Sequence, residues 1–319
     1  MNWYGPPTLL TWLLVPFSLA YGLLIRAWHL LFELGLRRPV RIQGAKVVSV
    51  GNLVVGGAGK TPVVMHLANE ATRRGFKVAV LSRGYGRVAS ESRSFTSTDL
   101  PSVSEVGDEP RLIARRCPGV TVWVGADRVA LARSAVSNGA DLLILDDGFQ
   151  HRRLARDFDV LVDGGLGNGW MLPAGPLREP ASGRERATHI WGRDGLPGDI
   201  MATHQVTKVR SPTGQSVSLQ HQSVVLLLGV ARPELVERSV IGLGATIVNR
   251  HLHADHHLFT PAELSSAQAD ARSKNAWLVT TEKDAERLPE NSAYVLVLDV
   301  QVIEGELPLP RAMLVPHPA

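Results

Sequence analysis

The glycine-rich segment GGAGKT, residues 56–61, places the strongest constraint on how this chain can fold. It follows an apolar run at 46–52 that is typical of a buried strand, and it precedes a helical pattern at 61–74 that Gly75 closes. The order strand, loop, helix is the context in which backbone N–H groups and a helix N-terminus hold a phosphate. The alternative is a glycine-rich turn that only connects two elements.

The loop departs from the general pattern G-x-x-x-x-G-K-[ST], which requires a glycine where this chain has Val54. The permissive backbone is still present where crowding against a phosphate is greatest. We therefore expect the phosphates of a nucleotide to be bound by Gly56, Gly57, Ala58, Gly59, Lys60 and Thr61. The ammonium group of Lys60 is expected to reach the outer phosphates, and the hydroxyl of Thr61 to bind Mg²⁺.

Short apolar runs alternate with helical stretches along most of the chain. Strands are predicted at 46–52, 77–82, 119–125, 141–147, 188–191, 205–209, 223–230, 244–250, 276–281 and 293–300. This alternation indicates an α/β fold whose parallel sheet is covered on both faces. The segment SPTGQS at 211–216 is typical of a joint. We predict an apolar helix in 1–35, a P-loop core in 36–212 and a smaller α/β domain in 213–319.

Two pairs of carboxylates lie where they can act on a bound nucleotide. Asp146 and Asp147 close an apolar strand, where unpaired carboxylates are costly unless they bind a cation such as Mg²⁺. Their alternative role is to cap the following turn. Asp108 and Glu109 lie in SEVGDEP, and by themselves they are explained equally well as the acidic start of a helix at 110–116.

Four of the eleven histidines lie in the segment HLHADHHLFT. His253 and His257 have the i, i+4 spacing of metal ligands, but Ala254 occupies the position at which zinc proteases place a glutamate. Asp255 and His256 are an alternative pair for a proton relay. Exposed loop histidines without a role are the remaining interpretation.

The N-terminal segment is far more apolar than the rest of the chain. No charged residue precedes Arg26, and the run at 8–25 is almost wholly apolar. As a helix this run would extend about 27 Å, slightly less than a hydrocarbon core of about 30 Å, and Pro16 permits a kink. Basic residues follow the run, which predicts a membrane-associated helix with the remaining chain on the cytoplasmic side. A buried helix is the alternative, and a secretory signal is disfavoured because no basic region comes first.

Composition excludes several classes of protein. With 45% hydrophobic and 20% charged residues, the chain is expected to form a packed core and not to be disordered. The single cysteine, Cys117, cannot form an internal disulfide, which favours a reducing compartment. The net charge is only +4 and basic residues are not interleaved with aromatic ones, so we expect no nucleic-acid partner.

Seven motifs, taken together and in their order, resemble those of the tetraacyldisaccharide 4′-kinase family of lipid A biosynthesis. They are VGNLVVGGAGKTP, LSRGYGR, VGDEP, DDGFQHR, PAGPLREP, DHH and TEKDA, and they span residues 50–285. The phosphate loop of that family also lacks the first glycine of the general pattern. The resemblance implies a P-loop NTPase-like core and a smaller C-terminal α/β domain whose closure assembles the site.

The resemblance also implies an activity. The expected reaction transfers the γ-phosphate of ATP, with Mg²⁺, to the 4′-hydroxyl of an acylated glucosamine disaccharide 1-phosphate, giving lipid IVA. The expected location is the cytoplasmic face of a Gram-negative inner membrane, because the apolar N-terminus suits a substrate whose acyl chains stay in the bilayer. We expect the protein to act as a monomer.

Particular residues receive roles from this resemblance. Asp108 matches the catalytic acidic residue and His256 its partner from the second domain, a pair in which the carboxylate accepts the proton of the sugar hydroxyl. The further assignments are Lys60 and Thr61 as the phosphate-loop pair, Asp146, Asp147 and Glu109 at magnesium, Arg178 and Arg128 for charge stabilisation of the transferring phosphoryl group, and Tyr85 and Gln150 at the nucleotide. Glu179 also belongs to the matching motifs, without a defined role.

Two other functions are compatible with a phosphate loop. A membrane-associated GTPase should carry the guanine-reading pattern N-K-x-D, and the EKD at 282–284 lacks its asparagine. A membrane-anchored binding module that holds ATP only as a structural ligand would transfer no phosphate. Substitution of Asp108 or His256 should leave such a module unaffected.

Overall fold

The structure is a computed structural model that describes residues 3, 6–193 and 195–310 of the chain. The described helices are α1 (Leu9–Glu33), α2 (Lys60–Arg73), α3 (Val103–Val106), α4 (Asp108–Arg116), α5 (Arg128–Ser137), α6 (Pro233–Gly242), α7 (Pro261–Ser273) and α8 (Glu282–Ala285), with a 3-10 helix at Ala181–Arg186. The described strands are β1 (Lys46–Gly51), β2 (Val78–Ser82), β3 (Arg93–Phe95), β4 (Thr121–Val124), β5 (Leu142–Asp146), β6 (Phe158–Val162), β7 (His189–Arg193), β8 (Ile200–Arg210), β9 (Ser216–Val217), β10 (Ser223–Leu228), β11 (Thr246–Leu252), β12 (Trp277–Thr281) and β13 (Tyr294–Glu304).

One mixed sheet runs through the whole described chain. Its strand order is β11-β10-β12-β13-β8-β7-β6-β1-β5-β2-β4-β3, and β9 pairs with β8. Neighbours from β8 to β4 are parallel, and so are neighbours from β11 to β13. The two parallel groups meet at the antiparallel pair of β8 and β13. The prediction of parallel strands alternating with helices is confirmed within each group.

The two groups share a long seam. Strands β8 and β13 are eleven residues each and pair from Val295 opposite Arg210 to Glu304 opposite Met201. The segment predicted as a joint, 211–216, forms the turn between β8 and β9 and ends in the first residue of β9. Because the sheet is continuous across this seam, the division into 1–35, 36–212 and 213–319 stays a prediction.

Alternation along the strands divides the core between the two faces of the sheet. In β1, Val48 and Val50 lie in a cluster that includes α2 and α4, whereas Val47 lies in a cluster on the α5 side. This follows because successive side chains of a strand point to opposite faces. Each fully buried aliphatic side chain contributes about 1.5–3 kcal/mol, so the helices are held to both faces by burial. The two parallel groups each have such clusters.

Besides the two-residue strand β9, two strands were not predicted from the sequence. Strand β6 contains the polar residue Asp159, which is buried and forms an ion pair with Arg156. Strand β3 is only three residues long and lies at the edge of the sheet, in a part of the chain that is rich in serine. Tertiary pairing supplies both strands with neighbours that the local pattern does not indicate.

Helix α1 leaves most of its apolar surface uncovered. It is the one helix among the described residues that is long and apolar enough to cross a membrane, and only 11% of its most apolar window is buried. Its 25 residues extend about 37 Å, so the helix is longer than the predicted run. Three hydrogen bonds join it to the rest of the described chain. Ser18 Oγ donates to Met171 O at 2.8 Å, Tyr21 Oη donates to Arg178 O at 2.8 Å, and Arg152 Nη1 donates to His29 O at 3.4 Å.

Candidate active site

The phosphate loop connects β1 to α2 and lies beside the end of β5. Gly59 precedes α2 with φ +76°, a left-handed conformation that glycine adopts without strain. Lys60 begins the helix, and its Nζ donates to Asn52 Oδ1 at 3.2 Å and lies 3.5 Å from Asp147 Oδ1. The side chain of Lys60 therefore extends from the start of α2 to Asp147, which follows β5. Thr61, the next helical residue, is partly exposed.

The carboxyl ends of β1 and β5 meet because Val50 is paired with Asp146. Asp146 is only 5% exposed, and Ser82 Oγ donates to its Oδ2 at 3.0 Å. Its Oδ1 is buried and has no hydrogen-bond partner among the described residues. Burial, together with the charges of Glu109 and Asp147, raises the pKa of Asp146 to about 7. Because its ionised form is disfavoured, this carboxylate is one that a nearby cation would stabilise.

Asp147 has a different environment although it is the next residue. Its backbone is left-handed, with φ +54°, and Arg178 Nη1 donates to both carboxylate oxygens, at 2.9 and 2.8 Å. Burial raises the pKa of Asp147, but the charges of Lys60 and Arg178 outweigh burial and hold this pKa below its ordinary value. Gln150 Oε1 accepts from Arg178 Nη1 at 3.2 Å, and Gln150 Nε2 donates to Asn52 O at 2.8 Å. Two adjacent carboxylates thus have opposite protonation tendencies.

Asp108 and His256 lie against each other although they are 148 residues apart in sequence. Asp108 begins α4 and is 2% exposed, and His256 Nδ1 lies 3.0 Å from each of its carboxylate oxygens. The backbone N–H of Glu109 donates to Asp108 Oδ1 at 2.9 Å, and Arg287 Nε lies 3.4 Å from Oδ2. Burial raises the pKa of Asp108, but His256, Lys283 and Arg287 outweigh burial, so this pKa lies below its ordinary value.

Lys283 fixes the other side of the histidine. Its Nζ lies 3.1 Å from His256 Nε2, 3.1 Å from Asp255 Oδ1 and 3.2 Å from Glu109 Oε1. Burial lowers the pKa of Lys283, but the neighbouring carboxylates outweigh burial and raise it, so the side chain is an ammonium. Because an ammonium only donates, the network assigns Nε2 as an acceptor and the proton to Nδ1, which donates to Asp108.

Glu109 links the two carboxylate centres. It forms the ion pair with Lys283 and also lies close enough to Asp146 for its charge to raise the pKa of that carboxyl. Helix α4, which carries Glu109, is tied to α8 by an ion pair of Arg116 Nη1 with Glu282 Oε2 at 2.5 Å. A second ion pair between these two helical regions joins Arg115 Nε to Glu286 Oε1 at 2.8 Å. The Asp108–His256 pair, called the dyad below, and the phosphate loop are therefore linked by charged residues into one site.

Two predicted residues lie at the margin of this site. The Tyr85 ring lies 5.0 Å from the His256 ring and is 67% exposed, so one face is open to a ligand. Arg128 donates to Ala126 O at 2.8 Å and makes no direct contact with Asp147 within the described chain. It still lies close enough for the charge of Asp147 to act on its pKa, which burial lowers. Charge, and not direct contact, links Arg128 to the carboxylates.

Three polar residues of the site received no role from the sequence. Lys283 belongs to the TEKDA motif, which indicated only a helix start, and Arg287 lies beyond that motif. Asn52 follows β1 and is fully buried beneath Lys60. The motif containing Lys283 was the available signal, whereas the chain offered none for Arg287. Only the packing of α8 against α4 brings both cations to Asp108.

Comparison with known proteins decides the family. The profile of the family described as "Tetraacyldisaccharide-1-P 4′-kinase" matches residues 10–313. The chain belongs to the tetraacyldisaccharide 4′-kinase family.

Relatives named tetraacyldisaccharide 4′-kinase have substantial identity to this chain. One from Anaeromyxobacter dehalogenans strain 2CP-C is 43% identical over 288 residues, covering 81% of this chain and 76% of the relative. One from Rhodospirillum centenum is 39% identical over 302 residues, covering 90% and 86%. The family resemblance predicted from the seven motifs is therefore confirmed.

A solved member of the family has the same fold. The crystal structure of LpxK from Aquifex aeolicus in complex with ATP superposes with a TM-score of 0.74 at 28% sequence identity, covering 92% of this chain and 95% of that one. This confirms the predicted P-loop kinase fold with an apolar N-terminal helix. The relatives are named as kinases, which disfavours the two alternative functions considered from the sequence, a GTPase and a non-catalytic binding module.

Proposed function

We propose that this member of the 4′-kinase family transfers the γ-phosphate of ATP to the 4′-hydroxyl of tetraacyldisaccharide 1-phosphate, giving lipid IVA. The observation that carries the proposal is the Asp108–His256 pair, joined through Glu109 to the carboxylates beside the phosphate loop. It brings a proton acceptor and a triphosphate site together at one end of the sheet. We propose that the protein acts as a monomer.

The phosphate loop is the proposed seat of the nucleotide. Its exposed glycines, Gly56 and Gly57, leave backbone N–H groups accessible, and the N-terminus of α2 adds a positive dipole. Lys60 contributes a positive charge that is now shared with Asp147. When ATP enters, its outer phosphates replace the carboxylate as the partner of this ammonium group.

The acidic residues fit a magnesium ion. Asp146 Oδ1 is buried and has no hydrogen-bond partner among the described residues, and Mg²⁺ binds carboxylate oxygens of this kind. We propose Asp146 as the principal ligand, with Thr61, Asp147 and Glu109 as the neighbouring oxygen donors. When bound, the ion supplies positive charge that neutralises the phosphates of the nucleotide. Arg178 and Arg128 add further positive charge beside the same strand end.

The Asp108–His256 pair is the proposed acceptor of the 4′-hydroxyl proton. The lowered pKa of Asp108 keeps its carboxylate ionised at neutral pH, and the Nδ1–H of His256 orients it. In phosphoryl transfer a modest base is sufficient, since positioning and charge provide most of the rate enhancement. The hydroxyl oxygen attacks the γ-phosphorus, its proton passes to the carboxylate, and ADP leaves with the bridging oxygen.

The lipid part of the substrate is proposed to approach along α1. Tyr21 of this helix is bonded to the backbone of Arg178, and His29 Nε2 lies 3.5 Å from Glu179 Oε2. The apolar helix is thus fastened to the segment that carries the arginine of the site. We place the helix in the cytoplasmic face of a Gram-negative inner membrane, where acyl chains remain in lipid while the sugar reaches the dyad.

The test uses labelled ATP, Mg²⁺ and a tetraacylated disaccharide 1-phosphate with the full chain in detergent. We expect a second phosphate on the lipid, and a decrease in turnover of about 10²–10⁴-fold for Asp108→Asn with ATP binding retained. Lys60→Ala should impair both binding and turnover. The exposed Asp99 provides the matched control, Asp99→Asn. Equal turnover of wild type and Asp108→Asn would remove the proposed proton acceptor.

A further inference from the structure

The histidine-rich segment also contains a cluster that the proposed mechanism does not use. His253 follows β11, His257 directly follows His256, and Glu263 lies in the first turn of α7. One ligand atom from each residue lies within 4.8 Å of the other two. Two imidazoles and one carboxylate are a common protein ligand set for zinc.

The ligand atoms of this cluster lie close enough for one metal ion to bind all three, and without an ion His257 and Glu263 hydrogen-bond to each other. His257 Nε2 lies 3.1 and 3.0 Å from the two oxygens of Glu263, and His253 Nδ1 lies 3.6 Å from Glu263 Oε1. The last distance exceeds a hydrogen bond, and within the described chain the ring of His253 makes none. A tetrahedral Zn²⁺ with bonds of about 2.0–2.1 Å holds its ligand atoms about 3.3 Å apart.

The two imidazoles are held in position before any ion binds. Their rings are stacked with centroids 4.4 Å apart, and Phe259 packs edge-on against both, at 5.4 and 5.5 Å. The backbone N–H of His253 donates to Leu228 O at 2.8 Å, and that of His257 donates to Ala254 O at 3.1 Å. Little further ordering is therefore needed to complete a binding site.

We propose that His253, His257 and Glu263 bind a transition-metal ion such as Zn²⁺, with a fourth position open to water. Their side chains are 20%, 31% and 32% exposed, so an ion enters directly from solvent. Imidazole ligands select zinc over magnesium, which separates this site from the carboxylates beside the phosphate loop. A bound ion would join β11, α7 and the loop that carries the histidine of the dyad.

The test measures zinc binding to the detergent-solubilised full chain after removal of metals, in excess Mg²⁺ and without lipid or ATP. Titration calorimetry gives stoichiometry and affinity for wild type, His253→Gln and Glu263→Gln. Glutamine at 263 preserves the capping box with Thr260, so α7 should still form. The control is His221→Asn, which removes an exposed imidazole at φ +62°, a conformation that asparagine tolerates.

We expect wild type and the control to bind one zinc ion that each variant binds about tenfold or more weakly. Co²⁺ in place of zinc should show the visible absorption of a tetrahedral site in wild type and not in the variants. Equal zinc affinity and stoichiometry in all four proteins would overturn the proposal. Because neither substrate is present, this result is independent of whether the kinase function is correct.

Discussion

Replacement of Asp146 by asparagine is expected to stabilise the protein in the absence of magnesium. The pKa of this carboxyl is raised from 3.8 to about 7, so its ionised form is disfavoured in the folded state. A difference of about three pH units corresponds to about 4 kcal/mol, at about 1.4 kcal/mol per unit. The new amide N–H lacks a partner, which costs about 1–3 kcal/mol. The net gain is about 1–3 kcal/mol.

Proton linkage determines how the stability difference between wild type and Asp146→Asn depends on pH. A carboxyl with a raised folded pKa has its full stability below pH 3.8, and that stability is lost as the pH rises through about 7. The advantage of Asp146→Asn should therefore be greatest above pH 7 and decrease toward pH 4. With an unfolding entropy of about 2.1 cal/mol/K per residue, the expected rise in Tm at pH 8 is about 1.5–4.5 °C.

Thermal unfolding in detergent at pH 5 and pH 8, with and without Mg²⁺, measures this effect. Mg²⁺ should raise the Tm of wild type at pH 8 and raise that of Asp146→Asn much less, because the variant lacks the carboxylate whose charge the ion neutralises. Asp147→Asn is the matched control with the opposite sign, since the charges of Lys60 and Arg178 outweigh burial and lower the pKa of Asp147. A lower Tm for Asp146→Asn at pH 8 without Mg²⁺ would refute the reasoning.

Further substitutions test the rest of the site and the helix. Lys283→Met removes the donor to the imidazole of the dyad, a charge-assisted bond worth about 1.5–3 kcal/mol, so kcat should fall about 10- to 100-fold with little change in KM for ATP. Because Lys283 lowers the pKa of the dyad carboxyl, the acid limb of the pH–rate profile should also move to higher pH. The control Lys274→Met removes a lysine from an exposed ion pair and should match wild type. If Lys283→Met has a normal kcat and the acid limb of its pH–rate profile does not move, Lys283 has no positioning role. Leu23→Ser with Leu24→Ser should weaken flotation with vesicles, since both side chains are 70% exposed; unchanged flotation would place the membrane contact elsewhere. Burial raises the pKa of Cys117 to about 12, so this thiol should resist alkylation at pH 8 until urea unfolds the chain, and rapid native labelling would contradict its burial.

Local elements were predictable because their signals lie within a few residues. The helix predicted at 61–74 is α2, Lys60–Arg73, and the strand predicted at 141–147 is β5, Leu142–Asp146. Asp108 was open to two interpretations, a helix start or a catalytic residue. The structure places it at the start of α4 and against His256, so the helix start is confirmed and the catalytic role stays a prediction.

The order of strands was not predictable in the same way. Strand β13 returns to pair antiparallel with β8, and this seam brings the two parallel groups into one sheet. No residue pattern within either strand specifies that neighbour, because a strand pattern shows burial and alternation but not partners. The same long-range packing brings Lys283 and Arg287 to Asp108.

By itself the sequence determined the phosphate loop, the acidic strand end and the apolar first helix, because glycine placement, charge and hydropathy are local properties of the chain. The tertiary structure alone decided that Asp146 holds its proton more tightly than Asp147, and that His256 directs Nδ1 toward Asp108. These properties depend on desolvation and on neighbouring charges from distant segments, which only folding brings together.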